Sequence, residues 1–290
     1  MLRGRRIVVL LHRRQREREL RHYLIKHLAD LWRSDGLDVV FLSGPDEVVA
    51  ADALIVHVDL SVVPDDYLEF ARQYRVALNG RVKDIRKASF STQLVRVGDG
   101  YRGRVIVKTN LNYGGEPERR LDNSGIGSLM SRIGSSSPGS RIAQGLGRVP
   151  RYAIFERPDL VPRRFFDTDA YVVERFLPET EDGSYFIRSF DFLGDCATCL
   201  RIESKHPVIR GTTVIAAHEV EPAPEVWAWR EQLELDYGKL DYVVRDGEVV
   251  LLDVNKTSGA GAIPLASGTR GSRRRYWANG IYAYLDDGAH

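Results

Sequence analysis

Two cysteines among 290 residues rule out a disulfide scaffold and fit a reducing, cytoplasmic setting. No apolar run approaches the roughly 20 residues that a membrane-spanning helix needs, so no membrane partner is expected. Charge of one sign is also lacking. The 42 basic side chains stand against 40 acidic ones, for a net charge of +2, which argues against a bulk electrostatic partner. The arginines that crowd the N-terminal end (Arg3, Arg5, Arg6, Arg13, Arg14, Arg16, Arg18, Arg21) enclose an apolar strand and share their stretch with Glu17 and Glu19. They therefore read as folded protein, not a transit peptide. No aromatic residues interleave them, so a solvated helix face is the better account and no nucleic-acid partner is expected. No G-x-G-x-x-G follows the first strand, so the chain opens without the dinucleotide fingerprint. What remains is ordinary for a globular protein: 43% hydrophobic and 28% charged residues, enough for two or three subdomains with cores of their own.

The pattern alternates. Residues 7–11, 37–42, 53–58 and 75–78 are apolar, strand-length runs. Residues 15–33 place Leu20, Tyr23, Leu24, Leu28, Leu31 and Trp32 at helical spacing, and 64–74 forms a shorter helical stretch. Strands alternating with helices imply a parallel α/β layer ending near Gly80. Beyond it, 84–96 is expected as a helix and 105–108 as a strand; 122–147, rich in Gly and Ser, is expected as a mobile lid that includes the Ser-rich loop 131–140. Residues 170–176 form a strand that leads into a turn at 177–183. Strands at 185–193 and 196–202 are joined at Gly194-Asp195, a helix follows at 225–235, and 273–285 closes the chain as a helix.

The most informative stretch is 238–259. Two apolar runs joined at Asp246-Gly247 read as a β-hairpin. Asp253 and Asn255 are two apart in a strand and share a face; Asp241 lies on the partner strand. Oxygen-only ligands converging on one face suit Mg²⁺, and Mg²⁺ points to bound phosphates. The alternative is an ordinary hairpin with a wet outer face. Register decides between them. A two-residue loop would pair Asp241 with Leu252 and send Asp253 to the other face. A three-residue loop, Arg245-Asp246-Gly247, would pair Asp241 with Leu251 and Lys239 with Asp253, and all three oxygen-bearing side chains would face one way. The three-residue loop, with Gly247 at positive φ, is therefore the expectation.

Other residues carry chemistry less sharply. Lys108 ends an apolar strand ahead of the Gly114-Gly115 loop, an arrangement that holds phosphates, although strand-end lysines are common. Lys87 lies about 20 residues earlier on an expected helix, where a solvated helix charge is the better reading of that residue taken alone. Glu174-Arg175-Phe176-Leu177 ends an extended strand, which offers backbone groups to a planar base, and Glu181 in the next turn suits ribose hydroxyls; a polar linker is the other reading. Arg188 and Arg201 sit on strands rich in Phe, Leu and Cys and need a carboxylate or phosphate partner. Cys196 and Cys199, at i and i+3 of a strand, point to opposite faces and have no second pair, so neither redox nor zinc chemistry is expected. His12 reads as structural or substrate-side. Asp59 ends the third strand, where ligands of open α/β sheets lie.

Taken in order, Lys87, Lys108 at the end of Val105-Ile106-Val107-Lys108, Glu174-Arg175-Phe176-Leu177, the arginine pair and the Asp241/Asp253/Asn255 hairpin resemble the ATP-grasp superfamily over nearly the whole chain. The similarity is to its carboxylate–amine ligases: ribosomal-protein glutamate ligases, D-alanine–D-alanine ligases and glutathione synthetases. Asp253 stands where many members have Glu, and Ser258 where many have Pro. The resemblance implies an α/β fold with a Rossmann-like pre-ATP-grasp domain (1–80), a small lobe bearing the lysine strand and lid (81–170) and a large lobe bearing the metal hairpin (171–290). It implies ATP and Mg²⁺ between two lobes. Lys87, Lys108, Gly114, Gly115, Glu174, Arg175, Phe176, Leu177 and Glu181 would hold the nucleotide. Asp241, Asp253 and Asn255 would hold the metal, and Lys239, Arg188 and Arg201 would be catalytic. The implied reaction activates a small-molecule or peptide carboxylate as an acyl phosphate that an amine then attacks. A small-molecule kinase and a nucleotide-binding module without turnover are the alternatives, and homo-oligomerisation is left open.

Overall fold

The computed structural model describes residues 4–121, 152–260 and 269–286; the expected lid and the Ser-rich loop fall outside them. The chain forms two compact units, residues 1–83 with 179–290, and residues 84–178.

The first unit begins with a parallel sheet. Strands β1 (Arg6–Leu11), β2 (Asp38–Ser43), β3 (Ala53–His57) and β4 (Ala77–Leu78) lie in the order β2-β1-β3-β4. The apolar run of β1 is buried, as a central parallel strand covered on both faces must be. Helix α1 (Leu24–Ser34) lays Leu24, Ile25, Leu28, Ala29 and Trp32 on the core, and α2 (Asp65–Ala71) buries Tyr67 and Phe70. The helix expected over 15–33 is shorter. Residues 17–19 form a 3-10 turn, and Tyr23 is extended because it bridges to Gly259, with Leu24 N–H donating to Ser258 O at 2.9 Å. Tertiary pairing overrides the local periodicity here.

The second unit has α3 (Lys87–Phe90), β5 (Val105–Thr109), α4 (Glu116–Leu121), β6 (Ile154–Phe155) and β7 (Tyr171–Arg175). Its sheet runs β6-β5-β7, all antiparallel, over a small core of Val95, Val105, Val107, Val161, Phe165 and Val173. The helix expected over 84–96 is only four residues long. Residues 93–95 leave it to run along β7, with Val95 N–H to Val173 O and Arg175 N–H to Gln93 O, both 2.8 Å.

The chain then returns to the first unit as a six-stranded antiparallel sheet: β8 (Glu179–Glu181), β9 (Ser184–Leu193), β10 (Cys196–Ser204), β11 (Val214–Glu219), β12 (Tyr237–Arg245) and β13 (Glu248–Asn255). The order is β11-β10-β9-β12-β13, with β8 on β9, so β9 and β12 are neighbours at its centre. The turn expected at 177–183 contains a strand, β8, which hairpins onto β9 through Asp182-Gly183. Helix α5 (Pro224–Gln232) covers one face, with Trp227 against Phe190. Helices α6 (Thr269–Asn279) and α7 (Ile281–Asp286) stand where one helix was expected. One core joins the two sheets of this unit: Ile7, Leu28 and Trp32 pack with Leu193, Tyr237, Ala278 and Ile281. Among the described residues no helix is long and apolar enough to cross a membrane.

Candidate active site

The hairpin β12–β13 corrects the expected turn. Arg245 pairs with Glu248, so the loop is the two residues Asp246 and Gly247, at φ 51° and 81°. Positive φ at both central positions is the type I′ geometry, whose twist matches that of the strands. A regular ladder from this turn would set Asp241 against Leu252. Instead the register shifts between Asp241 and Tyr242: Tyr242 opposes Leu251, Asp241 opposes Asp253 and Lys239 opposes Asn255. Leu252 is the extra residue of a β-bulge, which breaks strict alternation and brings Asp253 onto the face of Asp241. The expected convergence exists, but a bulge produces it, and Lys239 opposes Asn255, not Asp253.

Strand β9 extends the pattern. It sets Asp191 opposite Lys239 and Ser189 opposite Asp241. Two rows of three therefore share one face: Asp191, Lys239 and Asn255 in one, Ser189, Asp241 and Asp253 in the other. The Lys239 ammonium donates to Asp241 Oδ2 at 2.7 Å, and Ser189 Oγ donates to Asp191 Oδ2 at 3.2 Å. Burial opposes the charge on Lys239, but Asp241, Asp191 and Asp253 outweigh it and raise its pKa above the ordinary value. Burial pushes Asp191 up to about 6, with Lys239 pulling it back and Asp241 pushing it further. Asp191 and Ser189 went unnoticed in the sequence. Their signal is the alternation Ser189-Phe190-Asp191-Phe192, in which polar groups keep to one face of a strand otherwise rich in Phe.

Among the described residues no group of three or more His, Cys, Asp or Glu is disposed to hold a metal. Two carboxylates and an amide on cross-strand neighbours fit a hard cation that takes its remaining oxygens from phosphate and water, as Mg²⁺ does. Asn255 Oδ1 also accepts the Thr257 N–H at 2.8 Å, which fixes the amide orientation and the chain leaving the hairpin. Thr257 Oγ1 donates to Asp59 Oδ1 at 2.6 Å, and Tyr23 OH donates to Asp59 Oδ2 at 2.5 Å. Lys256, which sequence reasoning passed over, is buried and donates to Val58 O and to Leu60 O. The end of the hairpin is thus tied to the segment after β3. His12 is buried, accepts the Arg14 N–H and stacks on Tyr67, a structural placement.

Arg188 and Arg201 lie on the other face. Arg188 pairs across the strands with Tyr242 and Arg201, and strand alternation separates it from Ser189 and Asp191. Glu179 gathers both: Arg188 Nη2 and Arg201 Nε reach its Oε1 at 3.1 and 2.8 Å, and Val244 N–H reaches Oε2 at 2.9 Å. Burial would raise the Glu179 pKa, but Arg188, Val244 N–H and Arg201 together hold it below the ordinary value. Glu181 is exposed and takes Arg201 Nη2 at 2.7 Å. Both cysteines are free; burial raises each thiol pKa, and Cys199 Sγ lies 3.3 Å from Tyr242 OH.

In the second unit, Lys108 and Glu174 form a buried ion pair at 2.7 Å. Ile106 opposes Glu174 and Lys108 opposes Val172, so the pair is a diagonal across β5 and β7 on one face. Lys87, 2% exposed, opens α3. Asn110 binds it there, accepting Lys87 N–H at its backbone oxygen (3.1 Å) and Ala88 N–H at Oδ1 (2.9 Å). Asn110 follows β5 directly, so both lysines belong to the same end of that strand. Tyr113, Gly114 and Gly115 have φ of 47°, 70° and 71° and turn the chain into α4. Arg175 N–H goes to Gln93 O and Phe176 N–H to Arg104 O, so those two amides are not available to a base; Leu177 follows, half-buried.

The fold is that of the ATP-grasp ligases. The ATP-grasp ligase PsnB, solved with a minimal precursor, Mg and ADP, aligns at TM-score 0.52 and 14% identity over 96% of this chain and 97% of its own. A RiPP-associated ATP-grasp ligase from Chryseobacterium gregarium, solved with ADP and a leader and core peptide, aligns at TM-score 0.50 and 10% identity over 99% and 98%. No protein-family model matches the chain, and no curated protein matches it in sequence.

Proposed function

We propose that this chain is an ATP-dependent ligase that joins a carboxylate to an amine through an acyl phosphate. The observation that carries the reading is the polar face of β9, β12 and β13 on an ATP-grasp fold, where the bulge at Leu252 spends regular pairing to set Asp241 against Asp253. Asp241, Asp253 and Asn255 would hold Mg²⁺, whose chemistry is to neutralise phosphate oxygens and align them for in-line transfer. Lys87 and Lys108 would take phosphate charge, with Glu174 fixing the Lys108 ammonium. Lys239 would meet the negative charge that builds on the acyl phosphate. Arg188 and Arg201, closed on Glu179 on the opposite face of the sheet, hold the fold and take no part in the reaction in this reading. The parallel sheet of residues 6–78 stands as the Rossmann-like pre-ATP-grasp domain in this reading. One similar structure contains a leader and core peptide and another a minimal precursor, which makes a peptide carboxylate or amine the first substrate class to try.

The test is ATP turnover against pools of amino acids, small acids and peptides, scoring ADP together with new amide mass. ADP that forms with a phosphate ester and no amide would replace the ligase with a kinase. No substrate-stimulated ADP from any pool would leave a nucleotide-binding module.

A further inference from the structure

Among the described residues of β9, β12 and β13, Lys239 is the one ammonium on a face that carries three carboxylates, and it is seated on Asp241 Oδ2 at 2.7 Å. Asp241 is also a metal ligand in the function proposed above, and the inference rests on that reading. A divalent cation and an ammonium compete for the lone pairs of a single carboxylate and repel each other across it. Lys239 therefore needs a second seat. Its two direct cross-strand neighbours are Asn255 and Asp191, and only Asp191 is an acid. Side chains directly opposed on antiparallel strands have Cβ atoms about 5 Å apart, a gap that a lysine closes by changing rotamer. Ser189, the cross-strand neighbour of Asp241, donates to Asp191 Oδ2 and keeps that carboxylate on the shared face.

We infer that Asp191 is a positioning residue that receives the Lys239 ammonium when Asp241 is taken up by a divalent cation. The charge on Lys239 then stays beside the metal ligands without occupying one of them.

The test is a double-mutant cycle read by Mn²⁺ affinity, measured by electron paramagnetic resonance on the full chain with and without ATP. Asp191→Asn should weaken Mn²⁺ binding about tenfold, because Lys239 is left to compete at Asp241. Lys239→Met should tighten binding. The double variant should match Lys239→Met within about twofold, since Asp191 then has no ammonium to receive. Equal weakening by Asp191→Asn with and without Lys239 would mean that Asp191 acts through its own charge, and the hand-over would be wrong. An unchanged affinity in Asp191→Asn would overturn it as well. Asp253→Asn is the control for the underlying reading: if it binds Mn²⁺ like the parent, the metal assignment falls, and the hand-over with it. Asp191→Asn keeps shape and can still accept from Ser189; Asp191→Ser serves as a second variant should Asn disturb folding.

Discussion

Two hairpins lie side by side in the large sheet, and they use their strands differently. β9–β10 turns at Gly194-Asp195 and runs nine pairs, from Leu193 with Cys196 to Tyr185 with Ser204, without a register shift. β12–β13 turns just as tightly but gives up one pair at Leu252. The regular hairpin carries Arg188 and Arg201, whose charges close on Glu179. Both hairpins set two like charges directly opposite each other, the arrangement that destabilises a sheet: Arg188 with Arg201 in the regular one, Asp241 with Asp253 in the bulged one. Regular pairing goes with opposed arginines closed on one carboxylate; broken pairing goes with opposed carboxylates set beside a single lysine. The difference separates charge that holds the fold from charge kept for chemistry, and variants at equivalent places should respond in opposite ways.

The largest effect is expected at Glu179. Glu179→Gln leaves two guanidiniums facing a neutral amide and should cost about 3 kcal/mol, read as a lowered urea midpoint. Mn²⁺ affinity should stay put, because the arginine cluster is on the other face. The mirror variant is Asp253→Asn. It relieves like-charge repulsion and should leave stability unchanged or slightly higher, yet reduce Mg²⁺-dependent turnover about 100-fold. If both variants lose stability and neither loses metal, the contrast between the hairpins is empty.

A smaller pair of effects tests the turns. Gly194 has φ 54°, and a Cβ there would lie 2.8 Å from Gly280 O and 3.0 Å from the Tyr284 ring, so Gly194→Ala should cost about 2 kcal/mol. Gly247 has φ 81° with open space around it, and Gly247→Ala should cost about 1 kcal/mol, the strain of the backbone alone. Equal costs in thermal unfolding would mean that the packing around Gly194 gives way freely.

These residues also show what was legible in the sequence. Alternating runs revealed β1 to β3 and the central strands, because apolar periodicity follows directly from which face is buried. Asp-Gly and Gly-Asp marked both turns. What escaped depends on partners distant in the chain. Tyr23 leaves the helical pattern to bridge Gly259, and residues 93–95 leave it to line β7. The bulge escapes because no residue type demands one at Leu252: alternation with a shared face for Asp241 and Asp253 needs one extra residue, and the sequence suggests the loop for it where the structure puts it in β13. Arg188 and Arg201 were grouped with Lys239 by order along the chain, and only the strand register puts them on opposite faces. The lysine strand is plain in the sequence, whereas Glu174, at the end of an extended strand that suits a base, gives no sign of its buried pairing with Lys108.

The smallest effect concerns pH and falls on the polar face that β9 shares with the bulged hairpin. Burial holds the Asp191 carboxyl at about 6 in the folded chain, above the 3.9 or so of an unfolded aspartate. Between those values the folded state binds more protons than the unfolded state. Stability from this group is therefore complete below about pH 4 and is lost as pH rises through about 6. The loss stays modest because the Lys239 ammonium opposite partly compensates the carboxylate. Asp191→Asn should flatten the slope of unfolding free energy across that window when denaturation is followed in EDTA, whereas Glu179→Gln should not. Glu179 has its pKa lowered, not raised, so its contribution is present above the unfolded value near 4.3 and is lost at more acid pH. An identical slope in Asp191→Asn and the parent would show that Asp191 is already ionised and solvated in the folded protein. The anions crowded on this polar face would then reduce to Asp241 and Asp253.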